Sequence, residues 1–211
     1  MRVVAGVARG RRLKSPKRAG VRPTLGRVRE ALFDILGDEV QGSRVLDLFA
    51  GSGALGIEAL SRGAAFALFV DGDPACIRAV RENLQACGLL ERAAVVRGNI
   101  PEDWPQIRQA CRESGPPSGA GPGPPHAFDL VFLDPPYGSG MERQALEGLV
   151  RFSLLRESAR IVCEQGRKRQ HACVFPKELG IESERRYGDS ILTFLTYGPG
   201  AKNEHGECKE A

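Results

Sequence analysis

Apolar positions along this chain fall into two alternating rhythms. Five short runs are apolar at nearly every position: Val45–Phe49, Ala67–Asp71, Ala93–Arg97, Phe128–Asp134 and Arg160–Glu164. They read as strands. Between them, Ala54–Ser61, Pro74–Ala86, Trp104–Arg112 and a stretch near Glu142–Leu149 carry helical spacing. Pro74 at a first turn and Gly88 just past an end are the expected helix punctuation. The run Leu130-Val131-Phe132-Leu133 leaves no polar face, so its strand is covered on both sides, as in a parallel sheet. Two β-rich runs, Ile181–Tyr187 and Ile191–Tyr197, flank Gly188-Asp189 and read as a closing hairpin. The fold class that follows is α/β, a seven-stranded, mostly parallel, doubly wound sheet.

Ahead of the first strand the rhythm differs. Arg2–Ala5 and Arg11–Leu13 read as two short strands around a Gly/Arg turn, and Lys14–Pro23 as a basic loop. Thr24 is placed to cap a helix, Leu25–Leu36, that turns Val28, Leu32, Phe33, Ile35 and Leu36 toward a core. Residues 1–40 thus form a basic extension and 41–198 the α/β domain. Ser114–Pro125, mostly Pro and Gly, is expected to be a flexible surface loop. Residues 199–211 are expected to be a disordered polar tail.

Charge sharpens this division. The chain has 211 residues and a net charge of +4. Residues 1–30 hold ten Lys or Arg and one acid, Glu30, so that segment carries +9 and the remainder −5. A basic arm on a mildly acidic body suits a polyanionic partner. The six cysteines form no C-x-x-C pair and no metal spacing, which points to reduced thiols and a cytoplasmic protein. The three histidines are scattered and are assigned no role. No apolar run approaches the roughly 20 residues that span a bilayer.

The chemistry begins where the first parallel strand ends. Arg44-Val45-Leu46-Asp47-Leu48-Phe49-Ala50 runs into Gly51-Ser52-Gly53-Ala54-Leu55-Gly56, which opens a helix. Glycines here permit positive φ and let a ligand approach bare backbone, and the helix start offers N–H groups. The spacing satisfies G-x-G-x-x-G, which by itself also fits a NAD site with Asp71 as the ribose acid. Asp47 argues otherwise. A carboxylate four residues before the first glycine repels a pyrophosphate and suits a cofactor with a cationic amino-acid end. S-adenosylmethionine is such a cofactor.

A second constellation ends the fourth strand: Asp134-Pro135-Pro136-Tyr137. In an open α/β sheet, ligands sit at the carboxyl ends of strands, so this tetrapeptide and the glycine turn can share one cleft. Two prolines stiffen the backbone and fix the direction of the Pro135 carbonyl. With Asp134 it can accept the two N–H groups of an exocyclic base amine and stabilise the charge that develops on attack. Tyr137 can stack on an extruded base.

The glycine stretch resembles motif I of class I methyltransferases that use S-adenosylmethionine, and Asp134–Tyr137 resembles motif IV of amino-group methyltransferases. From Arg2 to about Tyr197 the chain resembles the RsmD family, bacterial methyltransferases of a guanine N2 in 16S ribosomal RNA. The blocks that carry this are Arg2-Val3-Val4-Ala5-Gly6, Arg9-Gly10-Arg11-Arg12-Leu13, Arg22-Pro23-Thr24, Arg27–Phe33 and, above all, Asp47–Gly63. Departures are Asp at 71 where the family often has Glu, the Pro/Gly insertion, and the polar tail. The resemblance implies a class I methyltransferase (Rossmann-like) domain. It implies S-adenosylmethionine held by Asp47, Phe49, Gly51, Gly53, Asp71, Asp73 and Asn99, and catalysis by Asp134, Pro135, Pro136 and Tyr137. Asp73 reads equally as a helix cap and Asn99 as a turn residue. RNA contacts are expected from Arg9, Arg11, Arg12, Lys14, Arg22, Thr24 and Arg27. The partner is 16S rRNA in the small subunit or an assembly intermediate, with no metal and a monomeric protein. A DNA or other RNA amino-methyltransferase and a non-catalytic RNA-binding protein on the same fold are the alternatives.

Overall fold

The computed structural model describes residues 1–16, 26–114, 124–136, 139–166 and 175–198. The elements are α1 (Gly26–Leu36), β1 (Arg44–Leu48), α2 (Ala54–Ser61), β2 (Phe66–Asp71), α3 (Pro74–Cys87), β3 (Ala93–Arg97), α4 (Trp104–Glu113), β4 (Phe128–Leu133), α5 (Met141–Arg151), β5 (Leu155–Gly166), β6 (Leu179–Tyr187) and β7 (Ser190–Tyr197). The sheet order is β3-β2-β1-β4-β5-β7-β6. The pairings from β3 through β5 are parallel, and β7 runs antiparallel to both β5 and β6. This is the doubly wound, mostly parallel sheet expected for a class I methyltransferase.

Alternating residues divide the interior into two layers. Val45, Phe69, Leu130, Phe132 and Val162 point to the layer shared with α1, α2 and α3, where Leu32, Phe33, Ile57, Leu60 and Val80 meet them. Leu46, Leu68, Val131, Leu133 and Cys163 point to the layer under α4 and α5, against Trp104, Ile107, Leu146 and Leu149. β1 and β4 have no exposed residue, which is why their sequences lack alternation.

From α1 onward, boundaries agree with the sequence to within a residue or two, with one larger difference. β5 begins at Leu155 rather than Arg160. Its register against β4 jumps from Phe128–Leu155 to Leu130–Arg160. The polar residues Arg156, Glu157 and Ser158 fall in that bulge and hide the strand start from a pattern search.

The N-terminal extension is docked on the sheet layer rather than projecting from it. Val3, Ala8 and Leu13 are buried in the same core as α1 and β1. The two expected strands reduce to one antiparallel bridge, Arg2–Arg12. Their remaining backbone groups go elsewhere. The N–H groups of Val4 and Ala5 donate to the two carboxylate oxygens of Glu58 on α2, at 2.8 and 2.9 Å. The N–H of Ala8 donates to Ser61 Oγ at 2.9 Å. Glu58 is buried and also pairs with Arg62 at 3.0 Å and Arg29 at 3.5 Å.

Helix α1 corrects two expectations, the first at Arg29. That residue was counted with the basic arm, yet it is only 1% exposed and serves as an internal counter-ion. Ile35, expected in the core, is 42% exposed. At 100° per residue, Arg29 falls near the middle of the arc spanned by Val28, Leu32, Phe33 and Leu36, and Ile35 at its rim. Thr24, the expected cap of α1, and residues 17–23 lie outside the described residues.

Glu58→Ala would strand the Arg29 charge and two backbone donors. Breaking a buried pair from one side costs on the order of 3–5 kcal/mol. Denaturant unfolding should show a loss of that size, with faster hydrogen exchange at Val4 and Ala5. Unchanged exchange there would mean that Glu58 does not hold the extension.

Candidate active site

The carboxyl ends of β1, β2, β3 and β4 lie along one edge of the sheet, and the sequence-predicted site residues on them come together there. The turn after β1 is a strained piece of backbone. Phe49, Gly51 and Gly53 all have positive φ, at 61°, 57° and 74°. For Phe49 this conformation is uncommon and persists only where surroundings enforce it. The enforcement is visible: the Ala50 N–H donates to the Val70 carbonyl at 3.0 Å, and the Gly53 N–H to the Ala50 carbonyl at 2.7 Å.

Two carboxylates then complete the turn. Asp71 Oδ2 accepts from the Gly51 N–H at 2.8 Å, and its Oδ1 accepts from the Asp73 N–H at 2.8 Å. Asp47 Oδ2 accepts from the Gly56 N–H at 2.9 Å. The N–H groups expected to greet a ligand are thus already used by acids. A pyrophosphate would have to displace two carboxylates to bind here, so the turn does not suit a dinucleotide. It suits a ligand whose near end is cationic.

The glycines divide the labour differently from the sequence reading. A Cβ at Gly51 would meet only the Phe49 carbonyl at 3.9 Å, so open space lies before it. A Cβ at Gly53 would point inward, 3.2 Å from both Phe69 and Val80. Gly53 makes room for the core, and Gly51 leaves the approach open. Asp73 caps α3, its Oδ1 accepting from the Ala75 N–H at 2.8 Å. The Asn99 amide lies over Gly72, where a Cβ would be 2.2 Å from its oxygen. That puts Asn99 beside the end of β2 even though it follows β3.

Asp134 and Pro135 continue from β4, the parallel neighbour of β1. Alternation along the strands places Asp47, Asp134 and Glu164 of β5 on the same face of the sheet as α1 and α2. Burial, reinforced by the Glu164 and Asp47 charges, pushes the Asp134 carboxyl well above the usual carboxylate range. Burial, partly offset by the Gly56 hydrogen bond and reinforced by Asp71, pushes Asp47 up to about 7. Pro135 is buried and Pro136 exposed. Tyr137, Arg22 and Thr24 lie outside the described residues.

The basic residues of the extension form an outer rim. Arg9, Arg11, Arg12, Lys14 and Arg27 are exposed. Lys14 pairs with Glu82 at 2.7 Å across the surface, a contact of little energetic weight. Its backbone is fixed instead by Asn83, which accepts from the Lys14 N–H at 2.8 Å and donates to the Lys14 and Ser52 carbonyls, each at 2.9 Å. The arm is thereby tied to the glycine turn itself. Asn83, Glu58 and Glu164 were missed in the sequence. Glu164 was the most findable, as an acid closing an apolar strand in the manner of Asp47 and Asp134.

The profile of the family described as conserved hypothetical protein 95 matches residues 1–196. The chain is 36% identical over 197 residues to ribosomal RNA small subunit methyltransferase D of Haemophilus influenzae, covering 93% of each protein. This chain belongs to that methyltransferase family. A solved structure of a Thermus thermophilus hypothetical protein superposes with a TM-score of 0.68 at 31% identity, covering 92% of this chain and 98% of that one. A ribosomal protein L11 methylase from Lactobacillus delbrueckii gives 0.55 at 20% identity, covering 83% and 81%, a likeness of fold alone. Among the described residues, no helix is long and apolar enough to cross a membrane.

Asp47 gives the site a pH signature. Its folded-state proton is held more tightly than in the unfolded chain, so the native state binds more protons between about pH 4 and about 7. Stability should fall as pH rises through that window. Asp47→Asn, which keeps an acceptor for Gly56, should flatten the fall, so its advantage over the native protein grows up to about pH 7. Parallel profiles of unfolding midpoint against pH would contradict the burial of an ionisable Asp47.

Proposed function

We propose that this protein transfers a methyl group from S-adenosylmethionine to the exocyclic N2 amine of a guanine in 16S ribosomal RNA. The substrate is the small subunit or an assembly intermediate of it, in the cytoplasm, with the enzyme acting as a monomer. One observation carries the reading. A glycine turn braced by two acids ends β1, and Asp134-Pro135 leaves the adjacent parallel strand β4 on the same side of the sheet.

The residues fit the cofactor. Asp47 favours a cationic amino-acid end, Gly51 leaves room for close approach, Asp71 at the end of β2 suits the ribose hydroxyls, and Asn99 beside Gly72 offers an amide toward the adenine. When bound, S-adenosylmethionine supplies an electrophilic methyl group. The protein's own part is to position the acceptor. Asp134 and the Pro135 carbonyl take the two N–H groups of the amine, holding the nitrogen in line. As the bond forms, positive charge grows on that nitrogen, and a preorganised acceptor stabilises it. Ionised Asp134 is the stronger acceptor and sets a negative charge opposite the growing positive one, so the rate should rise with pH through its elevated titration. The exposed arginines contact phosphates, and the Tyr137 ring stacks on the extruded base.

Mass spectrometry of nucleosides from 16S rRNA, with and without the protein, should show N2-methylguanosine only with it. Asp134→Ala should slow transfer by about 10²–10³ while leaving S-adenosylmethionine affinity unchanged. A native rate in that variant would remove Asp134 from the chemistry.

The arm is tested by salt. Replacing Arg9, Arg11 and Arg12 with Gln should weaken RNA binding and lower the slope of log affinity against log salt by about 0.7–0.9 per lost phosphate contact. An unchanged slope would make the arm a merely solvated surface.

A further inference from the structure

The motif at Asp134 explains how an exocyclic amine is held, but not which base presents it. An adenine N6 and a guanine N2 are equally served by a carboxylate and a proline carbonyl. The bases differ in the next position along the Watson–Crick edge. Guanine carries an N1–H donor beside its amine, whereas adenine carries a bare acceptor nitrogen. A protein that chooses guanine needs a fixed acceptor beside the one that holds the amine.

Glu164 is built for that position. It lies near the end of β5, the parallel neighbour of β4, and the last paired residues, Leu133 and Cys163, directly precede Asp134 and Glu164. Both acids face the layer that also holds Asp47. Glu164 is only 6% exposed, so its carboxyl faces the inner end of the site rather than bulk solvent. One carboxylate oxygen is oriented by the Ser190 hydroxyl of β7, which donates to Oε1 at 2.8 Å. That register makes the two acids neighbours, and the Glu164 charge adds to the burial that raises the Asp134 carboxyl. Among the described residues, no group of His, Cys, Asp and Glu is arranged to hold a metal ion, so this pairing is not read as a cation site.

Resting on the proposed N2 methylation, we infer that Glu164 reads the N1–H of the target guanine while Asp134 and the Pro135 carbonyl hold its N2 amine. The flipped base is then recognised along its whole Watson–Crick edge, as extruded bases are. Glu164 is the base-choosing residue, and Ser190 keeps it aimed. A site with a fixed acceptor rejects a base that lacks the matching donor, because the carboxylate oxygen would then face the lone pair of an unprotonated N1.

The test uses 2-aminopurine, which keeps the amine of guanine but has an unprotonated N1. Small-subunit particles would be reconstituted with either base at the methylated position, and kcat/KM measured for each. The native protein should prefer guanine by about 10²-fold or more. Glu164→Gln keeps an oxygen for Ser190 and turns an N–H donor toward N1. It should lose about 10–100-fold on guanine, and lose little or gain on 2-aminopurine, so the preference collapses. Because both substrates rely on Asp134, any change in that group cancels in the ratio. A Glu164→Gln protein with the native preference overturns the inference. So does an equal loss on both substrates, the mark of a purely structural role. If Glu164→Gln does not fold, Ser190→Ala serves instead, with a reduced preference expected and an unchanged one contradicting. A native protein that places no methyl on guanine N2 would bring down the underlying reading, and this inference with it.

Discussion

The constraint on which the rest depends is the position of β1 between two parallel neighbours, β2 and β4. From β1 the chain winds one way through α2 and α3 to β3, and then returns through α4 to β4 and onward. The returning helices cover the other face. In a sheet wound both ways from β1, the ligand crevice belongs above the carboxyl ends of β1 and β4. The four acids at the centre of the site stand at or beside strand ends along that edge. Asp47, Asp71, Asp134 and Glu164 come from four strands, and the hydrophobic layers below fix their spacing.

Electrostatics complete what topology begins. Acids gather inside the crevice, where burial raises the proton affinity of Asp47 and Asp134. Cations gather outside it on the N-terminal extension. The two are joined through neutral and paired groups: Glu58 holds the backbone of residues 4 and 5, and Asn83 links Lys14 to Ser52 of the glycine turn. A basic rim around an acidic centre suits a substrate whose backbone is anionic and whose reacting edge is a row of N–H donors. It also suits a cofactor with a cationic end.

Much of this was legible in the sequence because it is local. Continuous apolar runs gave the parallel strands, and the glycine spacing gave the turn. Asp134-Pro135-Pro136 announced itself by composition. What was hidden depends on distant partners. Arg29 reads as one more arm cation until Glu58 is seen beneath it, 29 residues away in a different helix. Asp71 reads as a ribose acid, yet it also braces Gly51, and only the parallel pairing of β1 with β2 brings them together. The inward direction of Gly53 follows from its φ and its neighbours Phe69 and Val80, which no motif encodes. Glu164 gave the same signal as Asp47 and Asp134, an acid closing an apolar strand, but it lacked a motif to draw attention to it.

The most direct measurement of the whole account is a structure with S-adenosylhomocysteine, the demethylated cofactor. Its amino-acid end should lie against the glycine turn by Asp47, its ribose beside Asp71, and its sulfur should face Asp134 and Pro135 across the β1–β4 crevice. A ligand seated elsewhere on the sheet, or with its sulfur turned away from Asp134, would contradict the claim that these two strand ends form one methyl-transfer site.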